Sequence, residues 1–425
     1  MPVNLVHTYL FLNDLHLAGG FDPVNNRSSR GENFFYDAEF ARFLDFHISQ
    51  AASKGAQVHL VLLGDVFDFL RIESPTPPQH RYSLDSSPAT AVAKLRRIAA
   101  EHAKFFQALG RLLDAGGVLE ILPGNHDIEL IRQPVQSVFK ELVAAACQKT
   151  ISAEQIRFHP WVLYVPGAFY AEHGQQHHFI NNFPDLLFLH YDQPPGAFRL
   201  PPGSHFELYL SDLARLAAPH LNEQPAGLLA LLRILLRHPA LWLAAAASHL
   251  RFAAALLQDL LHRPLVKFGR ISTEQAQRLQ ALSAESGLDV PFLSRLEQMT
   301  RLSTLEMFQR VIRLLTRQAS AQTGGYIYQS ALAIHQLLMS SGQAVPCYIF
   351  GHTHHSASLP LTSQGPPAFY LNAGSWIGMG LPGGSAPVAS RDFRFVRLTI
   401  QPGAAPSGEI LTWEDALRRA QPVSG

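Results

Sequence analysis

Short β-type runs alternating with helical stretches, a polar cluster closing each run, and a long helix-only stretch in mid-chain predict a layered α/β protein with a large all-helical insertion. The 425 residues are 47% apolar and 16% charged, enough to build substantial cores, which excludes a disordered, collagen-like or disulfide-scaffold protein. With 34 Lys+Arg against 33 Asp+Glu, the net charge of +1 gives no global field for nucleic acid or anionic lipid. Cys147 and Cys347 make no metal spacing and read as isolated buried thiols in a reducing compartment. Residues 1–12 carry no Lys or Arg ahead of the apolar run and no small-residue cleavage site, so a secretory leader is not expected and a cytoplasmic location is.

Taken in order, a strand over residues 3–12 runs into Asn13-Asp14-Leu15-His16, and a helix over 37–53 follows. A second strand over 58–63 ends in Gly64-Asp65-Val66-Phe67-Asp68, and a helix over 88–113 leads to a third, 118–122, which ends in Pro123-Gly124-Asn125-His126-Asp127. Strands over 161–165 and 168–172 bring the chain to His173-Gly174. After a helix over 326–339, the apolar run 345–350 ends in Gly351-His352-Thr353-His354, and strands over 368–371 and 393–400 complete the pattern. Open α/β sheets place ligands at such strand ends.

Residues 1–190 and 340–405 are thus expected to form one discontinuous core, 191–339 a helical insertion punctuated by prolines, and 406–425 a C-terminal tail. Residues 239–250 lack a formal charge but fall short of the roughly 20 residues that span a bilayer. A helical wheel puts Ser248, His249, Arg251, Gln258, Asp259 and His262 largely opposite Trp242, Leu243, Leu257, Leu260 and Leu261. Two readings stand: a core-packing helix, or a surface for lipid or an acyl-bearing substrate, with Arg233, Arg237, Arg251 and Arg263 flanking the apolar stretches.

The strand-end clusters supply what a pair of divalent metals needs to polarise one phosphoryl group: oxygen and nitrogen ligands from several strands, and a carboxylate able to serve both ions. Asp14 with His16, and His352 with His354, are each two apart on a segment expected to be extended, which would point both side chains one way. Asp65 follows Gly64, whose missing side chain permits a tight turn; Asn125 offers a neutral amide oxygen, and His173 a further imidazole.

These blocks, in this order, resemble the calcineurin-like metallophosphoesterase (binuclear metallophosphatase) family over residues 1–190 and 340–400. The resemblance implies a four-layer α/β/β/α sandwich with a two-metal centre (Mn, Fe or Zn) between the sheets. It further implies that Asp14, His16 and His354 hold one ion, that Asn125, His173 and His352 hold the other, and that Asp65 bridges them. By the same resemblance the catalytic residues are His126, which assists the leaving oxygen, and Asp127, which orients His126, while a metal-activated water attacks. The segment Asn372-Ala373-Gly374-Ser375 resembles the strand end that follows the family's last metal histidines. The implied activity is hydrolysis of a phosphomonoester, phosphodiester or pyrophosphate, with a catalytically silent scaffold for a partner protein, or a nuclease, as alternatives.

The chain departs from the family pattern where His173-Gly174 continues into Gln175-Gln176-His177-His178, so His177, His178 and His355 are extra imidazoles. The substrate is expected to be a phosphate ester, nucleotide-linked or lipid-linked, selected by the insertion, which also offers a peripheral membrane contact; no stable nucleic-acid complex is expected. Arg71, His80 and Arg81 in the proline-rich stretch 71–88, and Asn25, Asn26, Arg27 and Arg30, are further candidates to meet a phosphate.

Overall fold

The computed structural model describes residues 5–19, 21–22, 27–28, 31–72, 82–184, 186–192, 195–208, 241–262, 272–303, 305–307, 309–310, 325–362, 366–377, 393–414 and 419–422. His80, Arg81, Asn25, Asn26, Arg30, Arg233, Arg237 and Arg263 lie outside these residues. The strands are, in chain order, β1 (Val6–Leu12), β2 (Phe21–Asp22), β3 (Arg27–Ser28), β4 (Ala56–Leu63), β5 (Val118–Leu122), β6 (Ile156–Phe158), β7 (Val162–Val165), β8 (Phe169–Glu172), β9 (Cys347–Phe350), β10 (Ala357–Pro360), β11 (Phe369–Asn372), β12 (Phe393–Ile400), β13 (Ser407–Glu414) and β14 (Arg419–Pro422). They form a mixed seven-stranded sheet, β14-β13-β12-β1-β4-β5-β6, a mixed five-stranded sheet, β10-β11-β9-β8-β7, and the small β2-β3 ladder.

Register decides where the chain's polar clusters emerge. In the first sheet β1, β4 and β5 are parallel, with Leu12 opposite Leu62 and Leu63 opposite Leu122, so the loops starting at residues 13, 64 and 123 leave one edge side by side. In the second, β8, β9 and β11 are parallel, with Ala171 opposite Ile349 and Phe350 opposite Asn372, which aligns the exits toward His173, His352 and Gly374.

The pleat turns Tyr9, Phe11, Val61 and Leu63 of the first sheet against Phe169, Ala171, Ile349 and Leu371 of the second in one buried cluster. Phe11 meets Phe169 edge-on at 5.2 Å between ring centres. The alternate residues Leu10, Leu12, Leu60 and Leu62 pack with helices α1 (Asp37–Ser53), α2 (Pro88–Glu101), α3 (Ala103–Asp114) and α4 (Gln133–Ala146). Burial on both faces is why these strands read as continuous apolar runs. Tyr170, Tyr348, Phe350 and Tyr370, on the other face of the second sheet, pack with residues of the helices Thr273–Ser286, Val290–Thr300 and Gly325–Ser340.

Three expectations are revised. The helix expected over 88–113 is two, divided at His102, whose backbone leaves helical geometry at φ −108°, ψ 40°. Residues 406–425, expected as a tail, contain β13 and β14; β13 pairs with β12 and buries Leu411 and Trp413, whose alternation is a strand signal too short to stand out. On the helix Leu241–His262 the core-packing reading does not hold for the apolar side of the wheel: Asp259 is buried, whereas Leu257 and Leu261 are 57% and 76% exposed. No described helix is long and apolar enough to cross a membrane.

His102 ties three segments together. Its Nδ1 lies 3.1 Å from Asp37 at the start of α1, and its Nε2 lies 3.1 Å from Glu32. Glu32 in turn accepts the backbone N–H groups of Ala18, Asn33 and Phe34. Burial alone would lower the pKa of His102, but the bonds to Asp37 and Glu32 raise it to about 9. This contribution to stability is fully present below the ordinary value of 6.5 and is lost as pH rises through about 9. The difference in unfolding free energy between wild type and His102→Gln should therefore shrink by about 3 kcal/mol between pH 6 and pH 10 in denaturant titrations. A difference that stays constant with pH would contradict this assignment.

Candidate metal centre

Five non-glycine residues have positive φ among the described residues: Asp14 (53°), His16 (51°), Asp65 (50°), His352 (70°) and His354 (57°). All five were singled out as ligands from the sequence. Left-handed backbone is costly for side chains other than glycine, and such strain persists where the surroundings over-determine it. The Asp-x-His and His-x-His pairs therefore converge through left-handed turns, which corrects the expectation of extended segments.

The side chains meet between the two rows of loops. Asp14, His16 and His354 bring ligand atoms within 4.8 Å of one another, and so do Asp65, His173 and His352. Asp14 Oδ1 lies 3.2 Å from His354 Nε2 and 3.9 Å from His173 Nε2, and Asp65 Oδ2 lies 3.3 Å from His173 Nε2 and 3.9 Å from His16 Nε2. Asp65 thus stands between the two groups. Its other oxygen, Oδ1, accepts the backbone N–H of His126 at 2.8 Å. Asn125, between Gly124 and His126, is 5% exposed.

Two tautomers follow from the hydrogen bonds. His173 Nδ1 donates to the Leu63 carbonyl at 2.8 Å, and His16 Nδ1 to Asp68 Oδ2 at 3.3 Å, so each ring turns its Nε2 toward the carboxylates. Those Nε2 atoms, with Asp14 Oδ1 and Asn125 Oδ1, are buried and meet no hydrogen-bond partner among the described residues. Each buried polar atom left unpaired costs about 1–3 kcal/mol, and four of them on the expected ligands form a donor set that fits a divalent cation. Mixed nitrogen and oxygen ligands suit Mn, Fe or Zn.

Burial would raise Asp14 and Asp65, but the facing histidines, His354 and His173 for Asp14 and His173 and His126 for Asp65, hold both below the ordinary carboxylate range. Burial, with His178 and His173 nearby, drives His352 well below the ordinary imidazole value, whereas His173, against its burial, is raised to about 9 by Asp65 and Asp14.

The role expected of Asp127 falls to Asp68. His126 Nδ1 faces Asp68 Oδ1 at 3.1 Å, whereas Asp127 accepts backbone N–H groups: Oδ1 from Asp65 and Gly124, Oδ2 from Val66 and Phe67. Asp127 therefore clamps the loop of Asp65 to the loop of Asn125, and burial with Asp65 beside it raises its pKa to about 6. The signal for Asp68 was present in the Gly-Asp-x-x-Asp spacing, which alone does not say which histidine the second acid meets. Arg71 is buried with Nε 3.2 Å from Asp68 and its guanidinium on Glu207, so it is engaged rather than open to a phosphate.

Of the extra imidazoles, His177 meets Glu172 at 2.8 Å, His355 is exposed, and His178 reaches His352. Asn372, Gly374 and Ser375 hold the loops: Asn372 donates to the Gly351 carbonyl, Ser375 to that of Asp14, and the Gly374 carbonyl accepts from Asn13. The cysteines are free thiols, Cys347 buried and Cys147 half-buried.

No protein-family model matches the sequence, and no curated protein matches it. Among solved structures, a phosphopantetheinyl hydrolase from Mycobacterium tuberculosis is similar, with 12% identity over 88% of this chain and 91% of that one at a TM-score of 0.23. Similarity of that extent leaves the chemistry to be read from the site itself.

Close backbone approach makes the site intolerant of a methyl group. A Cβ on Gly124 would lie 2.1 Å from Asp65 Oδ1, and one on Gly64 (φ +80°) 2.6 Å from the His173 ring. Gly124→Ala should displace the Asp65 carboxylate, costing about 1–3 kcal/mol of stability and lowering metal content after dialysis against Mn²⁺. Wild-type stability together with wild-type metal content would contradict this geometry.

Proposed function

We propose that the protein is a metal-dependent phosphoesterase that hydrolyses a phosphomonoester, phosphodiester or pyrophosphate bond. The observation that carries this reading is the convergence of strained, left-handed ligand residues on buried oxygen and nitrogen atoms that have no hydrogen-bond partner among the described residues. Asp14, His16 and His354 would hold one divalent ion and Asn125, His173 and His352 a second, with Asp65 shared between them. Such cations supply Lewis acidity toward a phosphoryl group and lower the pKa of water near neutrality.

The protein's own groups do the rest. His126 is poised as the proton donor: its Nδ1 is held by Asp68, which leaves Nε2 for the leaving oxygen. Burial would lower its pKa, but Asp68 and Asp65 raise it to about 10, so the ring is a cation at neutral pH that can donate a proton or stabilise developing charge. Asp68 bonds His16 and His126 together and so couples the ligand set to the donor.

Residues of the stretch 191–339 reach this neighbourhood: Glu207 engages Arg71 beside Asp68, and Tyr326 stacks on His178. Both contacts support a substrate-selecting role for the insertion. The exposed Leu250, Leu257 and Leu261 make lipid-linked and acyl-bearing esters worth testing beside nucleotide-linked ones.

Chelated protein refilled with Mn²⁺ or Zn²⁺ should hydrolyse p-nitrophenyl phosphate or its bis ester. His126→Ala should lower kcat by about 10²–10⁴ while keeping its metal, and Asp65→Ala should lose both metal and turnover. Metal-independent turnover, or full activity in His126→Ala, would refute the proposal.

A further inference from the structure

His352 differs from His16 and His173 in which ring nitrogen the protein engages. Its Nε2 lies 3.1 Å from His178 Nδ1, and the Asn181 carboxamide nitrogen lies 3.3 Å from the same Nε2 and 2.9 Å from His178 Nδ1. A neutral imidazole carries one proton. If Nε2 carries it and donates to His178, Nδ1 keeps the lone pair a cation needs; if His178 were the donor, the proton would sit on Nδ1 and block coordination.

The loop that presents His178 is rigidly built. The 3-10 turn Gln175–His177 reverses the chain after Gly174, where an added Cβ would meet Ile327 at 2.7 Å. Gln176 bonds both the N–H and the carbonyl of Phe183, Asn182 donates to the carbonyls of Gln176 and Thr300, and His177 is fixed on Glu172. The ring of Tyr326 stacks on His178 at 5.0 Å between centres and 22°.

We propose that His178, stacked on Tyr326, is a positioning residue for His352: its Nδ1 lone pair, shared with the Asn181 N–H, accepts a hydrogen bond from the His352 Nε2–H and so fixes the tautomer that leaves Nδ1 for a divalent ion. This rests on the metal-centre reading above and gives it an asymmetry, since His178 contacts one ligand of one ion only among the expected set. Of the extra histidines after His173-Gly174, His178 thereby acquires a function, five residues on from one ligand and in contact with another of the same ion.

The test is a Co²⁺ titration of the chelated full-length protein, followed by calorimetry and by visible d–d absorption, on wild type, His178→Phe and His178→Gln. The Phe variant keeps a ring against Tyr326 but accepts no hydrogen bond; the Gln variant retains an acceptor. Wild type should bind two ions. His178→Phe should bind one as wild type does and the other about 10–100-fold more weakly, with an altered spectrum for that ion alone, and His178→Gln should recover much of the loss. Two ions bound with wild-type affinities in His178→Phe would overturn the positioning role while leaving the metal centre standing. Equal weakening of both ions, with a lower melting temperature of the metal-free protein, would overturn it in favour of a packing role. Failure of wild type to take up Co²⁺ would overturn the metal centre and this inference together.

Discussion

Two buried carboxylates, two buried imidazoles and two half-buried ones, within a few ångströms of one another, set the problem that the rest of the chain solves. Asp14 and Asp65 are 0% and 1% exposed, and the buried Nε2 atoms of His16 and His173 face them at 3.3–4.0 Å. Taking ionised groups out of water costs several kcal/mol each, and mutual attraction offsets that only where geometry is good and the remaining lone pairs find partners. Here the outward-facing atoms of His173, His16 and Asp65 are paired, with the Leu63 carbonyl, Asp68 and the His126 amide, and the inward-facing nitrogens of the two rings meet no hydrogen-bond partner among the described residues. That inside-out distribution is the arrangement a cation site requires.

The fold supplies it through register. Parallel pairing of β1 with β4, of β4 with β5, and of β8 with β9 delivers the ligand-bearing loops to one edge of each sheet, and the shared apolar layer between the sheets holds the two edges opposite one another. At the edges, each loop is locked by its neighbours. Asp127 takes four backbone N–H groups across two loops, the His352 N–H bonds Asp14 Oδ2, and the Asp14 carbonyl accepts from Ser375. Such bonds make it possible to keep five non-glycine residues in left-handed conformations, a cost of about 1–3 kcal/mol each.

Much of this was legible in the residues and some was not. Strands buried on both faces announce themselves as apolar runs, so β4 and β5 and the clusters that follow β1, β4, β5, β8 and β9 stood out, while β12 carries half-buried Arg394 and Arg397 among its buried apolar residues. Residue type at those ends pointed to Asp14, His16, Asp65, Asn125, His173, His352 and His354, and the structure gathers the acids and histidines of that set in two facing groups. Backbone handedness carries no comparable signal in a two-residue spacing, which is why Asp14-Leu15-His16 read as extended. Partnership between side chains distant in sequence is similarly silent: Asp127 adjoins His126 in the chain, but Asp68, 58 residues away, meets its ring. The break at His102 was hidden because its cause, the acids Asp37 and Glu32, lies more than 60 residues upstream. His178 and His352 are 174 residues apart, and their contact depends on both sheets being in place.

Anomalous diffraction from crystals grown with Mn²⁺ locates ions without reference to turnover. The account predicts two peaks about 3.5–4 Å apart, one among Asp14, His16 and His354 and the other among Asn125, His173 and His352, with Asp65 reaching both. Manganese bound elsewhere, or no peak among these residues at a concentration that saturates the protein in solution, would contradict it.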